Sequence, residues 1–520
     1  MNRTGLLISS DLWLEGNQLN GRRWAAQSWL REWVQATEED QLSLLVASVG
    51  PDVLQALNMQ FSALGWTKSI SLMSMSTPQQ VVQQGCGVLF IPDPSLGRWA
   101  QWRRVVGSSA FSLVGQIHTI SSQGSQALLQ ELVSEPVMPW DAVVCSSTAG
   151  RAVVEAVLDD REALLVHRTG GSRLNLRQYR PQLPVIPLPL NLKPLLELPP
   201  KEKARQALGL DANTAVVLWL GRLSLYTKQD PWFTYRVIDR VAQQLNQIVV
   251  LIECGPDDSP EQAHHFQELR QQCRSLRFLR LGGDQPVPES TKHLALAAAD
   301  LAVSFVDNTQ ETFGLAVAEA MGAGLPVVAS NWDGYRDLVS HGLHGFLVPT
   351  RWSATAADLS FPLGWMQACG LQSYVAISGA LAQLVHLDAG EAEQSVLTLL
   401  GCPNLANAMG KAAQRHAAST FAGDVVMAQH KLLFDELNQR RASEAPALGV
   451  APVPPALIHD PVRCFRGYPA GSFGAGDDRL FQPVSNLVTK GRAELWNLLK
   501  REAPQDSLDR LHQSLLAKHS

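Results

Sequence analysis

Two glutamates stand eight positions apart in the stretch DNTQETFGLAVAEAMGAGLPVVAS, residues 307–330. Between them, Gly314 has no side chain to obstruct a ligand, and the Ala-rich residues 316–323 favour a helix. Glu311 therefore precedes the predicted helix. Glu319 lies inside it, roughly 8 Å along at about 1.5 Å per residue. Because carboxylates accept hydrogen bonds from hydroxyl groups, the two glutamates can hold hydroxyls at two ends of one ligand.

The start of this helix is a binding feature in its own right. Its free backbone N–H groups and the positive end of its dipole suit a phosphate. The offset to Glu319 is comparable to the distance from a diphosphate to the ribose of its nucleotide. We therefore expect a nucleotide-sugar across the helix N-terminus, with Glu319 on the ribose and Glu311 on the far group. For either glutamate alone, the alternative is a helix-dipole partner or a surface charge.

A second candidate phosphate site follows an apolar run in AVVLWLGRLSLYTKQDP, residues 215–231. The run ends at Gly221, Arg222 comes directly after it, and Lys228 follows six positions further on. Arginine binds phosphate oxygens in pairs and lysine adds a point charge, so the two cations suit a diphosphate. The alternative is an ordinary charged turn between a strand and a helix.

These residues need elements that bring them together, and the chain contains two series of apolar runs alternating with amphipathic segments. The first series covers residues 1–195 and the second follows the charged segment KEKARQALGL. Such alternation predicts parallel sheets with helices on both faces, and ligands bind at the carboxyl ends of such strands. We expect an α/β protein of two Rossmann-like domains that face a cleft.

The second domain is expected to span residues 196–441 and to contain two additions. Residues 351–386 interrupt the alternation, and their apolar content favours a helical insertion. Residues 421–441 have helical periodicity and a basic end, which predicts a terminal helix of this domain. Residues 442–520 begin with the Pro-rich APALGVAPVPPALIHDP and are expected to form a linker and a C-terminal extension.

The bulk composition excludes several classes of protein. A net charge of −5 over 520 residues argues against a general nucleic-acid binder. The seven scattered cysteines contain no C-x-x-C pair and are typical of buried thiols in a reducing compartment. We find no secretory signal and no run of eighteen apolar residues, which favours a cytoplasmic protein and leaves peripheral contact with the inner face of the membrane open.

The motifs together resemble retaining family-4 glycosyltransferases with the GT-B fold. ETFGLAVAE has that family's E-x7-E pattern, and EAMGAGLPVVAS with GYRDLVSHGLHGFLVPT is similar to its continuation. GRLSLYTKQDP is similar to the family's phosphate-binding segment. The resemblance is good over residues 183–440, weaker before them and absent in the tail. The form DNTQETFGL with NWDGYRD is similar to a bacterial subgroup associated with polysaccharide synthesis.

The resemblance implies a role for each candidate residue in the second domain. Arg222 and Lys228, with Gly221, would bind the diphosphate, Glu319 the ribose and Glu311 the donor sugar. The segment that joins the two glutamates would line the sugar and phosphate pocket, through the backbone N–H groups of Phe313, Gly314 and Leu315 and through Thr312.

In the first domain the resemblance implies a histidine that faces the anomeric carbon, and QIHTISS places His118 there. The alternative is a structural histidine at a strand end. Gly16 and Asn17 are candidate phosphate contacts, although SSDLWLEGNQLNG lacks the family's adjacent glycine pair. IPLPLN also departs from the usual Asn-Gly step after the proline.

The reaction implied is transfer of a sugar, with retention, from a nucleotide-diphosphate-sugar to a hydroxyl of a saccharide, a lipid-linked or another acceptor. We expect no cofactor and no metal, because no Asp-x-Asp sequence occurs in the chain. Two alternatives remain open, namely a silent GT-B scaffold that binds nucleotide-sugars and a GT-B phosphorylase or epimerase. The nucleotide base, the sugar, the acceptor and the oligomeric state cannot be derived from the sequence.

Overall fold

Two six-stranded parallel sheets form the framework of the molecule, in a computed structural model that describes residues 3–9, 12, 21–448 and 461–467. The first sheet has the strand order β3-β2-β1-β4-β5-β6. Its strands are β1 (Arg3–Leu7), β2 (Gln41–Val46), β3 (Ser69–Ser74), β4 (Cys86–Ile91), β5 (Ser112–Gln116) and β6 (Ala142–Val144). The order reverses between β1 and β4, which is the point where Rossmann-like sheets bind ligands.

Helices follow most strands of the first sheet and cover both of its faces. They are α1 (Gly21–Ala36), α2 (Pro51–Ala63), α3 (Gln79–Gln83), α4 (Leu96–Arg103), α5 (Gln123–Ser134), α6 (Thr148–Thr169) and α7 (Arg173–Arg177). The short helices α8 (Lys193–Leu196) and α9 (Lys201–Ala207) lead to the second sheet. The predicted boundary near residue 195 thus falls in the segment that joins the two sheets.

The second sheet repeats the design with the order β12-β11-β10-β7-β8-β9. Its strands are β7 (Ala215–Leu220), β8 (Val249–Cys254), β9 (Leu276–Leu281), β10 (Leu301–Ser304), β11 (Val327–Ser330) and β12 (Gly345–Val348). Its helices are α10 (Pro231–Leu245), α11 (Pro260–Gln271), α12 (Glu289–Ala298), α13 (Leu315–Gly322) and α14 (Tyr335–Leu338). Strands β7 and β10 are neighbours at the point where the order reverses, so their loops meet at one edge.

The insertion after β12 contains two strands as well as the expected helices. Strands β13 (Thr350–Trp352) and β14 (Val385–Leu387) pair antiparallel, and between them lie α15 (Ala356–Ala368) and α16 (Tyr374–Ala382). The sequence predicts the helices but not the strands, because each strand has only three residues. The pairing anchors both ends of the insertion beside the second sheet.

The chain then returns to the first sheet. Each sheet with the helices that cover it is called a unit. Helices α17 (Ala389–Gly401) and α18 (Pro403–Thr420) pack on the second unit, whereas α19 (Gly423–Leu448) packs along α1 of the first unit. At the crossing, the backbone N–H of Leu190 donates to the carbonyl of Phe421 at 2.7 Å. The last described helix is α20 (Pro461–Cys464).

The assignment of the terminal helix 421–441 to the second domain therefore needs correction. Val426, Met427 and Phe434 are buried in the core of the first sheet, where Trp29 stacks on Phe90 with ring centroids 3.7 Å apart. Helical periodicity predicts a helix but does not say which sheet its apolar face covers. The helix also continues through Leu448, into the segment that the sequence assigns to the linker.

The cysteines are only partly as expected. Cys86, Cys145 and Cys254 are buried free thiols. Three other free thiols are exposed and contradict the expectation of burial, namely Cys369, Cys402 and Cys464. Within the described ranges, no helix combines the length and the apolar character needed to cross a bilayer.

Candidate functional site

The site is built where the loops after β7 and β10 meet. The side chain of Asn308 is fully buried and its amide donates to the backbone carbonyl of Lys228, which ties the two loops together. The amide oxygen of Gln229 accepts from the backbone N–H of Phe305 at 2.8 Å. These contacts fix the direction of both loops, so their charged side chains are held before any ligand arrives.

Lys228 and Glu311 form an ion pair in this position. The Nζ of Lys228 lies 2.9 Å from Oε2 of Glu311, and both side chains are largely shielded from solvent. Burial acts to raise the pKa of Glu311. The charge of Lys228 and hydrogen bonds from the backbone at Thr312 and Phe313 outweigh burial, so the pKa is lowered from its ordinary value. Glu311 is therefore a stable carboxylate near neutral pH.

Arg222 lies in the same loop and is held by its own neighbours. Its guanidinium binds the carboxylate of Asp258 and donates to Oγ1 of Thr227 at 3.0 Å. Asp258 also accepts from the hydroxyl of Ser224 at 2.9 Å. The Asp258 carboxylate therefore orients the Arg222 guanidinium, a role that sequence reasoning missed because Asp258 follows a different strand.

The turn after Glu311 carries the predicted backbone donors. Gly314 has a φ of 104°, and a Cβ there would lie 2.3 Å from the ring of Tyr335, so only glycine fits. It precedes α13, whose first residue is Leu315. The side chain of Phe313 is buried in the core and Thr312 is also buried. The turn thus contributes backbone rather than side chains to the site.

Glu319 belongs to a second cluster. Its carboxylate lies 2.8 Å from Nζ of Lys292, which also lies 3.0 Å from Glu289. The same ammonium lies 5.2 Å from the ring centroid of Trp24 on α1. Because Trp24 comes from the first unit, this cluster lies between the two units. Burial raises the pKa of Glu319, and the Lys292 charge opposes that rise only in part.

His118 follows β5 and is buried against the first sheet. Its Nε2 donates to the carbonyl of Pro92 at 2.9 Å. Burial and the positive charge of Arg22 lower its pKa to about 4. The ring is therefore neutral near pH 7, with Nδ1 left as a hydrogen-bond acceptor. The other predicted contacts from the first unit, Gly16 and Asn17, lie outside the described residues.

A cavity of about 860 Å³ lies beside Glu311, between the two units and the insertion. The first unit contributes Ile120 and Ser121, the second Trp332 and Asp333, and the insertion Gly364, Gln367 and Ile377. This volume is large enough for a sugar-sized ligand. Because three separate segments form its wall, the cavity could not be predicted from any single motif.

The insertion reaches across the cleft to the first unit. The amide of Gln367 donates to the carbonyl of Ser121 at 3.2 Å, and the amide of Gln123 donates to the carbonyl of Ala368 at 3.1 Å. The hydroxyl of Ser121 lies 3.4 Å from that of Tyr374. Burial raises the pKa of Tyr374, and the charges of both Arg222 and Glu311 act on its hydroxyl. The insertion is thus part of the site.

The units also touch at the N-terminus of α6. The carboxylate of Asp337 accepts from the backbone N–H of Thr148 at 2.5 Å and from its hydroxyl at 2.7 Å. The hydroxyl of Ser146 donates to the carbonyl of Thr312 at 3.4 Å.

Among the residues that the structure describes, no three His, Cys, Asp or Glu side chains group in a way that could hold a metal ion.

The structure therefore divides the predicted residues into three places. Lys228 and Glu311 are in contact, and the charges of Arg222 and Glu311 both influence the pKa of Tyr374. Glu319 lies with Lys292, and His118 lies at the end of β5. Sequence reasoning missed Asn308, Asp258, Lys292, Trp24, Asp333 and Tyr374. Asn308 and Asp333 stand inside the quoted motifs, so of these residues they were the easiest to predict from the sequence.

The chain is similar in sequence and in fold to known glycosyltransferases. Residues 214–360 match the family model described as glycosyl transferases group 1. The chain is similar to D-inositol 3-phosphate glycosyltransferase of Thermobispora bispora, with 28% identity over 265 residues that cover 48% of this chain and 56% of the relative. The same protein of Mycolicibacterium vanbaalenii is 31% identical over 173 residues, 30% of this chain and 36% of the relative. The chain spans about half the length of the curated relatives it matches.

Solved structures show the same fold. Sucrose-phosphate synthase from Thermosynechococcus elongatus aligns with a TM-score of 0.50 and 16% identity, over 84% of this chain and 99% of that chain. A glycosyltransferase from Rickettsia africae aligns with a TM-score of 0.50 and 12% identity, over 84% and 98%. The α/β architecture of two Rossmann-like units is confirmed as GT-B. The resemblance to family-4 glycosyltransferases is confirmed as well.

Proposed function

We propose that the protein is a retaining glycosyltransferase that moves a sugar from a nucleotide-diphosphate-sugar to an acceptor hydroxyl. The observation that carries this proposal is the pair of Lys228 and Glu311, held 2.9 Å apart beside a cavity between the two units. The cation suits the diphosphate and the carboxylate suits the hydroxyls of the donor sugar. The glycosyltransferase group 1 match over residues 214–360 supports the same activity.

In this proposal the protein acts mainly by stabilising charge. As the bond between the anomeric carbon and the diphosphate oxygen breaks, negative charge collects on the leaving nucleotide. Arg222, Lys228 and the N-terminus of α13 then stabilise that charge better than they stabilise the intact donor. Glu311 stabilises the positive charge that develops on the sugar ring. The insertion, which already contacts the first unit, excludes water that would compete with the acceptor.

The proposed reaction needs no metal. In this proposal Arg222 and Lys228, both in the loop after β7, neutralise the diphosphate in place of a divalent ion, and the chain has no Asp-x-Asp sequence to bind such an ion. We expect transfer at an unchanged rate after incubation with EDTA. A rate that falls on chelation and returns with Mg²⁺ or Mn²⁺ would refute this part of the proposal.

The acceptor is proposed to be a polyhydroxyl compound of polysaccharide or glycoconjugate synthesis. D-inositol 3-phosphate is the first acceptor to test, because the relatives' names contain it. Arg336 and Arg351 line the cavity and could bind its phosphate. Glucose, glycerol and octyl glucoside represent neutral and lipid-like acceptors.

The experiment that tests the function is donor turnover by purified protein. UDP-glucose, UDP-N-acetylglucosamine, GDP-mannose and ADP-glucose are offered with and without the four acceptors. We expect wild-type protein to consume one donor, and Lys228→Ala and Glu311→Gln to lose most of that turnover while remaining folded. Lys203→Ala is the matched control, since Lys203 is exposed and lies on α9, outside the site.

Two outcomes would favour the alternatives. Donor binding without hydrolysis or transfer would indicate a silent scaffold. Phosphate-dependent cleavage of a disaccharide, or epimerisation of the donor sugar, would indicate a phosphorylase or an epimerase. Equal turnover in Lys228→Ala, Glu311→Gln and wild type would remove the assigned roles.

A further inference from the structure

Asp333 has an unusual backbone conformation for its residue type. Its φ of 44° lies in the left-handed region that glycine favours. In the described part of the chain, the other non-glycine residue with a positive φ is Asn246, which ends helix α10. A left-handed residue is ordinary at a helix end, whereas Asp333 lies in the loop between β11 and α14. Strained positions of this kind are common at functional sites.

Asp333 is partly exposed as a whole, but one oxygen of its carboxyl group is buried without a partner. Its Oδ2 is shielded from solvent and accepts no hydrogen bond from the described residues. Burial, and then the negative charge of Glu311, raise its pKa to about 8, and the backbone of Gly334 opposes this rise. Burying a carboxyl group without partners is unfavourable unless a ligand supplies them.

The backbone holds Asp333 at a fixed position relative to Glu311. A Cβ at Gly334 would lie 2.6 Å from Cα of Phe313, so the two loops are in direct contact. The indole N–H of Trp332 donates to the carbonyl of Asn308 at 2.8 Å. Residues on both sides of Asp333 are thus bound to the loop that carries Glu311. The loops that carry the two carboxyl groups are therefore held at a fixed spacing.

Asp333 also lines the cavity beside Glu311. Arg222 and Lys228 do not line the cavity. Its wall is formed by the first unit, by Thr309 and Glu311 after β10, by the loop after β11 and by the insertion. In the proposed reaction, retention requires the acceptor hydroxyl to approach the anomeric carbon on the face that the diphosphate leaves, so the rest of the acceptor needs space beside the donor sugar and Glu311. An unpartnered carboxyl group in that wall can accept a hydrogen bond from an acceptor hydroxyl.

We propose that the cavity under the insertion is the acceptor subsite, and that Asp333 binds a hydroxyl of a polyhydroxyl acceptor and so directs it to the donor sugar. This inference rests on the proposed glycosyltransferase function. It explains why aspartate stands where glycine would fit the backbone better, because the side chain serves the substrate at the expense of stability. It also gives the insertion a role, since α15 and α16 supply one wall of the subsite.

Three variants separate this role from a structural one. Asp333→Asn keeps a side chain that tolerates a left-handed φ and replaces the carboxyl group by an amide, and Asp333→Gly removes the side chain and the strain. Asn246→Gly is the matched control, because it removes the same strain at an exposed position far from the cavity. Each protein is offered the donor that wild type hydrolyses, with glucose, glycerol, octyl glucoside or D-inositol 3-phosphate as the acceptor probe.

The expected readouts move in opposite directions. The ratio of sugar transferred to acceptor over sugar released to water falls about tenfold to a hundredfold in both Asp333 variants, as for loss of a hydrogen bond that leaves a buried partner unsatisfied. The melting temperature at pH 8 rises by about 2 °C or more in Asp333→Gly, and by less in Asn246→Gly. Asn246→Gly keeps the wild-type ratio.

Several results would overturn the inference. One is a wild-type ratio in Asp333→Asn, and another is a lower melting temperature in both Asp333 variants with the ratio unchanged, which indicates a structural role. Wild-type protein that hydrolyses the donor but transfers to none of the four probes also overturns it. If wild type neither binds nor consumes any donor, the proposed function itself fails, and this result is distinct from the others.

Discussion

Two glutamate–lysine pairs lie where the two units meet, and their electrostatic settings differ. Glu311 pairs with Lys228 at 2.9 Å and Glu319 pairs with Lys292 at 2.8 Å, so their geometry is alike. Burial alone would raise the pKa of both carboxyl groups. In Glu311 the opposing charges and hydrogen bonds prevail and the pKa is lowered, whereas in Glu319 burial prevails and the pKa is raised.

The partners around each pair account for the difference. Glu311 has hydrogen bonds from the backbone of the turn before α13 in addition to its lysine. Glu319 shares Lys292 with Glu289, whose negative charge raises the Glu319 pKa further. We infer that Glu311 is a permanent anion suited to a developing positive charge. Glu319 is better suited to neutral hydroxyl groups, because its raised pKa means that its ionised form is less stabilised than that of Glu311.

The largest effect is expected from the first pair. Lys228→Ala removes the cation that would stabilise the leaving diphosphate, so donor turnover should fall about a hundredfold to a thousandfold. Lys292→Ala in the second pair should cost less, because Lys292 is expected to support the ribose-binding carboxylate rather than the leaving group. Steady-state kinetics on both variants checks the order, and equal losses would break the distinction between the pairs.

The second prediction concerns binding. Glu319→Gln keeps the size of the side chain and weakens the hydrogen bonds proposed to reach the ribose, so the KM for the donor should rise about tenfold. The kcat should change much less, because the interaction exists before and during the reaction. A drop confined to kcat would instead place Glu319 at the reacting centre.

The third prediction uses pH to separate the two carboxyl groups. A folded pKa below the ordinary value of 4.5 means that Glu311 contributes stability above that value, which is lost as the pH falls through the folded pKa. Glu319, with its folded pKa raised, makes a contribution that is lost as the pH rises from 4.5 through that pKa. Urea unfolding of wild type, Glu311→Gln and Glu319→Gln over the acid range measures both slopes. Parallel curves for the two variants would contradict the difference in setting.

The smallest effect is expected at the insertion. Tyr374→Phe removes a hydroxyl that lies 3.4 Å from that of Ser121 across the cleft. We expect transfer to fall by about fivefold, the equivalent of one neutral hydrogen bond, with a larger share of donor lost to water. Ser121→Ala should give the same change. Additive losses in the double variant would show that the two hydroxyls act separately.

Most of the fold could be predicted from the sequence, because strong apolar periodicity accompanies each long element. The two parallel sheets, the boundary near residue 195 and the helical content of the insertion all follow from such runs. The place of α19 could not be predicted in the same way. Its apolar face fits either sheet. The helix is directed to α1 only by an isolated parallel β-bridge between residues 190 and 422, where the chain crosses back to the first unit.

The site could be predicted only where one motif carries it. Glu311, Gly314 and Glu319 stand in a single stretch, so their arrangement around the start of a helix could be predicted from the sequence. The lysine that pairs with Glu319 comes from α12, and Trp24 beside it comes from the other unit. Contacts between segments that are distant in sequence leave no local pattern, and one sequence alone does not contain them.

The central claim is that Lys228 and Glu311 hold a nucleotide-diphosphate-sugar whose sugar is then transferred. Proton NMR of the anomeric signals during incubation with the donor panel and D-inositol 3-phosphate tests it most directly. The account predicts that wild-type protein replaces one donor signal with a product signal of the same anomeric configuration, and that Lys228→Ala leaves that donor largely intact. An intact donor with wild-type protein, or an equal rate with Lys228→Ala, would contradict it.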